Sequence, residues 1–391
     1  MIRVGFALTV SQSTWHGGVS YFRNLFEALR DLPAPRVAPV IIARRDVPAS
    51  LLQSIGSVEV LRSRWVEVGS PWWAVRRACQ LRLGRDIPFE RFLRKHDVSL
   101  LSHSGNLGRL CPIPALAWIP DLQERHLPEF FDAREFDVRV RNECEQCRNA
   151  TRVLVSSEAA RRDLEAVAAD CGRRAPVLRF VASVPPINRL PDLSTLQARY
   201  AFSGPYLHLP NQFWAHKNHQ VVVAALARLA AAGRQVLVLA TGNTADYRQP
   251  QHFSRLMEQV QSAGVAASFR PLGMVPHEDL MGLMAHSVAV VNPSLFEGWS
   301  TTVEEARSMG KRVLLSDIAT HREQAPARGR FFAPADADGL AALLWQAWNE
   351  IDPAAEAVAM GAAAAELPGR RQRFAREYED IALALVQRGP V

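Results

Sequence analysis

Hydrophobic residues along this chain occur in short runs that alternate with longer amphipathic segments. In the first half, apolar runs such as "RVGFALT" and "RVAPVIIA" are separated by segments such as "VSYFRNLFEALRDL", in which apolar residues recur at helical spacing. Short apolar runs are typical of strands buried on both faces, and regular alternation of strand with helix indicates parallel sheets. The pattern therefore predicts an α/β fold.

The pattern pauses once and then restarts, which predicts two domains. Residues 183–205 contain four prolines and no clear period, and strand-like and helix-like segments alternate again beyond them. We expect an N-terminal domain over residues 1–185, a linker over 186–199 and a second doubly wound domain over 200–370. A chain of 391 residues is long enough to bury two such cores.

Charge is distributed unevenly between the two halves. Residues 1–200 hold 29 Lys/Arg and 21 Asp/Glu, whereas residues 201–391 hold 17 and 18. The basic excess predicts an acidic partner for the first half only. Residues 63–95 combine three tryptophans with eight Lys/Arg, which fits either a helix at an anionic membrane surface or a packed Trp cluster with a solvated Arg face. No motif indicates binding to nucleic acid.

Composition and cysteine usage predict a cytoplasmic protein. Hydrophobic residues make up 48% of the chain, yet no apolar run approaches the roughly 20 residues that a membrane span needs. The N-terminal stretch is typical of a strand and its loop, not of a signal peptide. Two of the five cysteines, Cys144 and Cys147, make a C-x-x-C pair in a segment that is helical in pattern, and these two are expected to be reduced. Peripheral contact with the inner face of the plasma membrane remains open.

The loop "NPSLFEGWSTTVEEARSMG" follows a buried strand, and such loops hold the ligands of open parallel sheets. A helix that begins near Thr301 or Thr302 would offer free N–H groups to a phosphate, and Gly298 would let the backbone approach it. Glu297 lies before this turn and Glu305 within the helix, where each can accept hydrogen bonds from hydroxyl groups. This spacing predicts a ligand with phosphates in the middle and a sugar at each end, which is a sugar nucleotide.

The same glutamates have a structural alternative. Thr301 with Glu304, and Thr302 with Glu305, both have the spacing of a capping box. We assign Glu304 to that role and leave both roles open for Glu305. Glu297 precedes the helix and has no such alternative.

Three further loops carry polar residues of interest. In "LPNQFWAHKNHQ", Lys217 stands between a strand and a helix, where a cation can neutralise a diphosphate. Asp121 ends a strand in "WIPDLQERH", and His126 follows it. Gly17 and Gly18 are expected in the loop between the first strand and the first helix. Each of these residues also fits an ordinary loop position.

A metal site is not predicted. Asp336-Ala337-Asp338 has the D-x-D spacing of metal-dependent glycosyltransferases, but it precedes an apolar helix instead of ending a strand. Asp338 is therefore expected to be the N-cap of that helix.

Taken together, "PSLFEGWSTTVEEA", "HKNH" and "DLQERHLPEFF" resemble segments of the retaining glycosyltransferases of family 4, the group 1 glycosyltransferases of the GT-B fold. The resemblance spans nearly the whole chain. It implies two Rossmann-like domains that face each other across a cleft. It also implies that a final helix, residues 372–391, crosses back onto the N-terminal domain.

The resemblance also implies a role for each site residue. Lys217 would hold the diphosphate, Glu305 the ribose and Glu297 the donor sugar, while the loop with Gly17 and Gly18 would close over the reaction centre. The implied catalytic residues are Lys217, Glu297 and Asp121. The implied donor-binding residues are Gly17, Gly18, Gln212, Lys217, Glu297, Gly298, Trp299, Ser300, Thr301, Thr302 and Glu305.

The implied activity is transfer of a sugar, with retention, from a UDP- or GDP-sugar to a saccharide or lipid-linked acceptor in bacterial surface polysaccharide or O-antigen assembly. No cofactor or metal is expected. Two departures matter, because Gln212 replaces the family's usual Arg and Pro120 its usual His. They are the only features that favour one alternative, a non-catalytic subunit that binds nucleotide sugars. An epimerase or hydrolase of the same fold is the other alternative.

Overall fold

The computed structural model describes residues 1–8 and 16–388 and divides the chain into two compact units. Unit 1 comprises Met1–Leu122, Arg134–Ala182 and Gly369–Val391. Unit 2 comprises Gln123–Ala133 and Ser183–Pro368. The segment Gln123–Ala133, which falls inside the expected N-terminal domain, is thus part of the second unit, and the chain passes between the units four times.

Parallel strands and the helices that connect them make up both units. Within the described residues, strands β1–β12 are, in chain order, Ile2–Leu8, Val37–Ala43, Glu59–Arg62, Val98–Ser102, Ala115–Ile119, Arg152–Val155, Leu207–Leu209, Val238–Thr241, Phe269–Gly273, Val290–Asn292, Val313–Ser316 and Gly329–Phe332. Helices α1–α16 are His16–Arg30, Ala49–Ile55, Pro71–Leu83, Ile87–Lys95, Gln123–His126, Ala133–Asn149, Glu158–Val167, Ala169–Arg173, Leu193–Tyr200, His219–Ala231, His252–Ser262, His277–His286, Thr301–Ser308, Ala319–Gln324, Ala337–Asn349 and Pro353–Arg388.

Each unit contains one six-stranded sheet in the described part of the chain, and every strand pair in it is parallel. The order is β3-β2-β1-β4-β5-β6 in unit 1 and β12-β11-β10-β7-β8-β9 in unit 2. Both orders are the doubly wound order, in which the first strand of the unit lies beside the fourth. The prediction of two doubly wound α/β domains is confirmed.

Burial on both faces explains why these strands are almost entirely apolar. All residues of β10 and β11 are buried, and so are the helix residues that cover them, such as Met284 and Val303. A strand covered by helices on both faces has no side that faces water, so alternation of polar with apolar residues is lost. The core of unit 2 therefore holds β7 and β10 side by side and fixes the edge from which their loops leave.

Two details differ from the expectations. The run "VLRFV" forms only an isolated bridge between Val155 and Val177, because it pairs too briefly to make a strand. The expected linker contains all of α9 except its last residue, and the N-cap Asp192 accepts a hydrogen bond from Thr195 N at 2.8 Å.

The prediction that Cys144 and Cys147 are both reduced is wrong for Cys147. Cys147 of α6 forms a disulfide with Cys171 of α8, with a Cα–Cα distance of 5.6 Å. Cys144, the other member of the C-x-x-C pair, is a free thiol. The partner of Cys147 is far along the chain and on another helix, so the spacing of the cysteines in the sequence does not reveal it.

No helix in the described part of the chain combines the length and the hydropathy that spanning a bilayer requires.

Candidate active site

Lys217 and Glu297 meet at the carboxyl edge of the sheet in unit 2. Lys217 ends the short 3₁₀ turn Ala215–Lys217 after β7, and Glu297 lies in the loop after β10. Because β7 and β10 are parallel neighbours, their loops leave the same edge of the sheet. Lys217 Nζ donates a hydrogen bond to Glu297 Oε1 at 2.6 Å. Two residues that the sequence predicted separately thus form a direct ion pair.

The Glu297 carboxylate is ionised although it is nearly enclosed. Its side chain is 11% exposed and that of Lys217 is 16% exposed. Burial alone would raise the pKa of Glu297, but the charges of Lys217 and His321 and the hydrogen bonds from Lys217 and Ser294 outweigh burial and lower it. Glu297 is therefore a charged hydrogen-bond acceptor near neutral pH.

Asn218 holds the two loops together. Its backbone is left-handed, with φ of 55°, a conformation that Asn tolerates better than most residues. From there, its Nδ2 donates to Pro293 O at 3.1 Å and to Pro334 O at 2.9 Å. Leu295 N also donates to His216 O at 2.8 Å. These bonds fix the position of Lys217 relative to the Glu297 loop.

The turn between Glu297 and α13 is fixed by buried amides. Asn292 Nδ2 donates to Ser300 Oγ at 2.8 Å, and Gln324 bonds both backbone groups of Ser300. Ser300 is the N-cap of α13, since its Oγ accepts from Val303 N. This arrangement places Gly298, Trp299, Thr301 and Thr302 around the first turn of the helix.

The capping boxes predicted for Thr301 and Thr302 do not form. With Ser300 as the N-cap, the third helical residue is Val303, so neither glutamate has the capping-box position. Thr302 Oγ1 instead donates to Pro210 O at 3.1 Å. Glu305 is buried on the first turns of α13. Glu305 therefore does not take the capping-box role that was left open for it.

His321 is a site residue that sequence reasoning missed. It lies on α14, which follows β11, the strand beside β10. The imidazole is fully buried, its Nδ1 bonds to Ser316 O at 2.9 Å, and its Nε2 has no hydrogen-bond partner among the described residues. Burial lowers the pKa of His321 even though the charge of Glu297 acts to raise it. The position of "DIATHRE" directly after a strand was the available signal.

Gln212 supplies no positive charge, but a nearby arginine does. Gln212 Oε1 accepts a hydrogen bond from Asn243 N at 2.8 Å, which joins the loops after β7 and β8. In the same β8 loop, the Arg248 guanidinium lies 4.1 Å from the centre of the Phe131 ring. Burial lowers the pKa of His216 first, and the charges of Lys217 and Arg248 lower it further. Arg248 thus adds a second positive charge around this edge.

Other predicted residues lie in unit 1. Asp121 follows β5, and its Oδ1 accepts a hydrogen bond from Arg139 at 2.7 Å. The placement of Gly17 and Gly18 in a loop is wrong, because both belong to the first turn of α1. The rest of the segment predicted as that loop, residues 9–15, lies outside the described residues.

His126 belongs to unit 2, where its ring centre lies 4.9 Å from that of Phe296, next to Glu297.

Asp336, not Asp338, is the N-cap of α15. Its Oδ1 accepts a hydrogen bond from Gly339 N at 2.8 Å, and Asp338 lies inside the helix. In residues 1–8 and 16–388, no group of three or more His, Cys, Asp or Glu side chains could hold a metal ion.

Residues 205–363 match the family model of glycosyl transferases group 1. This stretch contains Lys217, Glu297 and Glu305, so the part of the chain that carries the site resembles that family. No curated protein matches the sequence significantly.

Solved glycosyltransferases share the fold over nearly the whole chain. Anabaena HepE in complex with UDP and glucose superimposes with a TM-score of 0.68 at 16% identity and covers 98% of this chain and 100% of its own. A glycosyltransferase from Rickettsia africae gives 0.69 at 14% identity, with 98% and 97% covered. The lipopolysaccharide outer core galactosyltransferase WaaB gives 0.59 at 14% identity, with 98% and 99% covered. The predicted GT-B fold is confirmed.

Proposed function

We propose that the protein transfers a sugar, with retention, from a nucleotide-sugar donor to a saccharide or lipid-linked acceptor. The observation that carries the proposal is the enclosed pair of Lys217 and Glu297 on the loops after β7 and β10, where the strand order of unit 2 reverses. Ligands of doubly wound sheets bind at such a reversal point. The match of residues 205–363 to the group 1 glycosyltransferases supports the same conclusion.

Each part of the site has a place in donor binding. Lys217 would hold the diphosphate, and backbone N–H groups of the turn from Gly298 to Thr302 would support it at the start of α13. Glu297 would accept hydrogen bonds from the donor sugar, and Glu305 from the ribose. A UDP-sugar is the preferred donor class, because the HepE structure of the same fold contains UDP and glucose.

The proposed chemistry needs orientation and charge stabilisation more than a protein nucleophile. The acceptor hydroxyl attacks the anomeric carbon from the face that the nucleotide leaves, and an oxygen of the departing diphosphate takes the hydroxyl proton. Lys217 then stabilises the charge that develops on the diphosphate. No step requires a metal ion, since the cation at the phosphate is an ammonium group.

We further propose that the reaction belongs to bacterial surface polysaccharide assembly on the cytoplasmic side of the membrane. The resemblance of the site segments and the fold shared with a lipopolysaccharide galactosyltransferase support this setting.

A thermal-shift comparison tests the donor site. UDP, GDP and their common sugar conjugates are added to the wild type, to Lys217→Met and to the control Lys95→Met, which alters an exposed lysine of unit 1. A ligand at 100 times its Kd stabilises the native state by about 2.7 kcal/mol. We expect one nucleotide family to raise the Tm of the wild type and the control by several degrees, but not that of Lys217→Met.

Product analysis separates transfer from its alternatives. With the stabilising donor and candidate acceptors, a glycosylated acceptor and free nucleotide are expected. Free sugar or an epimer in the absence of acceptor would favour the hydrolase or epimerase, and binding without turnover would favour the non-catalytic subunit. A wild type that no nucleotide stabilises would contradict the proposal.

A further inference from the structure

Glu297 lies in irregular backbone, so its position depends on bonds from other segments. Residues 293–300, between β10 and α13, contain neither helix nor strand. Such a segment lacks the repeating backbone hydrogen bonds that hold a helix or a strand in one conformation. A group that acts on a bound ligand works best when the protein holds it in place beforehand. Several of the bonds that hold this segment lead to α14, which follows the neighbouring strand β11.

Thr320, in the first turn of α14, binds the backbone of Glu297 directly. Its Oγ1 donates to Glu297 O at 2.7 Å, and the residue is almost fully buried. A threonine hydroxyl in a helix often bonds to a carbonyl of its own helix. This one instead reaches a residue that lies 23 positions earlier in the chain, so it ties α14 to the loop after β10.

His321, the next residue, is bonded to Ser316 at the end of β11. His321 Nδ1 lies 2.9 Å from Ser316 O and 3.2 Å from Ser316 Oγ. A carbonyl oxygen only accepts hydrogen bonds, so Nδ1 carries the proton. Ser316 Oγ therefore keeps its own proton, which it donates to Ser294 O at 2.5 Å. Both His321 and Ser316 are fully buried, so water does not compete for these bonds.

Ser294 connects this chain of bonds to the carboxylate. Its Oγ donates to Glu297 Oε1 at 2.7 Å, the same oxygen that accepts from Lys217 Nζ. Ser294 Oγ also lies 2.8 Å from Asn292 Oδ1, but a hydroxyl has only one proton to donate. The place of the Ser294 backbone therefore decides whether its hydroxyl reaches Glu297.

We propose that Thr320 and His321 are positioning residues for Glu297. Thr320 fixes the backbone of Glu297, and His321 fixes, through the two serines, the hydroxyl that orients the carboxylate. Both come from one turn after β11, which pairs with β10, so the neighbouring strand supports the loop. The encounter of Glu297 with a donor sugar rests on the proposed function, whereas its support by α14 can be measured without a ligand.

The reactivity of Lys217 toward acetic anhydride tests the positioning without a ligand. A carboxylate partner favours the charged form of an amine, which an acylating reagent does not attack. The chain contains three lysines, of which Lys95 is exposed and serves as the reference, while Lys311 is buried. In Thr320→Val, peptide mass spectrometry should show Lys217 labelled about threefold faster or more relative to Lys95. Thr320→Ser keeps the hydroxyl and should label like the wild type.

Matched changes separate positioning from a general loss of stability. Ser287→Ala removes another buried hydroxyl of unit 2, which donates to Met284 O at 2.8 Å, but Ser287 precedes β10 and lies at the opposite edge of the sheet. It should lower the Tm about as much as Thr320→Val and leave the labelling of Lys217 unchanged. His321→Asn places an N–H where Nδ1 lies and His321→Leu does not, so only the leucine variant should raise the labelling.

Calorimetry connects the positioning with the proposed reaction. UDP and UDP-glucose, and then GDP and GDP-mannose, are titrated into the wild type, Thr320→Val and Ser287→Ala. The free nucleotide has no sugar that meets Glu297, whereas the conjugate does. The ratio of the Kd of the conjugate to that of the nucleotide should therefore rise by about tenfold in Thr320→Val, as expected for a lost hydrogen bond to the sugar. A general loosening of unit 2 would weaken both ligands and leave the ratio unchanged.

The outcomes distinguish this proposal from the proposed function. Wild-type labelling of Lys217 in Thr320→Val and His321→Leu, or the same increase in Ser287→Ala, would overturn the positioning proposal. An unchanged Kd ratio in Thr320→Val would also overturn it. If no nucleotide or conjugate binds the wild type, the proposed function fails, while the labelling still decides whether α14 positions Glu297. The two Thr320 variants decide it even if His321→Leu does not fold.

Discussion

Lys217 donates to Glu297, so a phosphate that binds this lysine has to share it with a carboxylate. The two negative groups repel each other unless sugar hydroxyls on the donor give Glu297 new hydrogen bonds. A complete sugar nucleotide provides those hydroxyls next to the diphosphate, whereas free UDP lacks the sugar. In the proposed function, the ion pair would therefore favour the complete donor over the product nucleotide.

Glu297→Gln should separate binding from transfer. Without the carboxylate charge, free UDP should bind about tenfold more tightly or more, because a like charge beside a phosphate costs on the order of 1 kcal/mol or more. Transfer should fall by about 100-fold or more, since the donor sugar loses its charged acceptor. Calorimetry with UDP and a turnover assay measure the two effects. Wild-type turnover in this variant would contradict the assigned role.

For single residues, the sequence predicts which side chains belong to the candidate site better than it predicts which residues they hydrogen-bond. Lys217 and Glu297 could be found because each lies in a loop after a strand, at a position where helix capping does not explain it. Ser300, Thr301 and Thr302 are three adjacent candidates for one N-cap, and spacing alone does not select between them. Ser300 is selected by its contacts with Asn292 and Gln324, which come from distant parts of the chain.

Among the elements, α12 depends on a lysine from outside the helix. Lys311 follows α13 and is almost fully buried, and its Nζ donates to Ala285 O at 2.9 Å and to Ser287 O at 2.7 Å. It also pairs with Glu356 of α16. A cation at the end of a helix complements the partial negative charge of its last carbonyls. Lys311 is thus a structural counterpart to Lys217.

Lys311→Met should destabilise the protein by about 2–4 kcal/mol, because two carbonyls and a carboxylate lose a buried partner. Urea unfolding followed by circular dichroism measures the change. Lys95→Met, at an exposed position, should change stability by less than about 0.5 kcal/mol. Equal unfolding midpoints for both variants would rule out this role.

The orientation of helix α3 is not predictable from its sequence. Its mixture of tryptophans, arginines and apolar residues predicted either a membrane-facing helix or a packed cluster. The sequence pattern does not reveal which face of the helix meets the protein. The orientation depends on Asp86. Its buried carboxylate accepts hydrogen bonds from Arg76 and Gln80, and these bonds hold the side of the helix that carries them against the protein.

For the whole molecule, buried neutral histidines predict sensitivity to acid. Burial lowers the pKa of His103, His208 and His219 to about 3 each. In the unfolded chain the pKa is about 6.5, so the stability that these residues contribute is complete above that pH. It is lost as the pH falls from about 6.5 toward 3, at about 1.4 kcal/mol per pH unit for each histidine.

Urea unfolding at several pH values between 7.5 and 5 measures this slope, and His208→Gln should reduce it by the contribution of one histidine. An unchanged slope in that variant, or equal stability at pH 7.5 and 5, would disagree with the prediction.

The sequence predicts the two α/β sheets more easily than it predicts which segments of the chain belong to each unit. Alternating strands and helices predict both sheets, because burial on both faces leaves a clear apolar run for most strands. Nothing in the composition of Gln123–Ala133 indicates that it packs with unit 2. Its place there depends on contacts such as Phe131 with Arg248 and His126 with Phe296.

Those contacts limit how genes of this kind can recombine. A single crossover near Ser183 would deliver unit 2 of another protein of this fold without the eleven residues Gln123–Ala133 that complete it. The loops from the other protein would then pack against the original segment. Its residues at the positions of Phe131 and His126 would not have evolved with the residues at the positions of Arg248 and Phe296. If the proposed function holds, new donor preferences should therefore arise through point changes in the loops after β7, β8 and β10 more readily than through exchange of whole units.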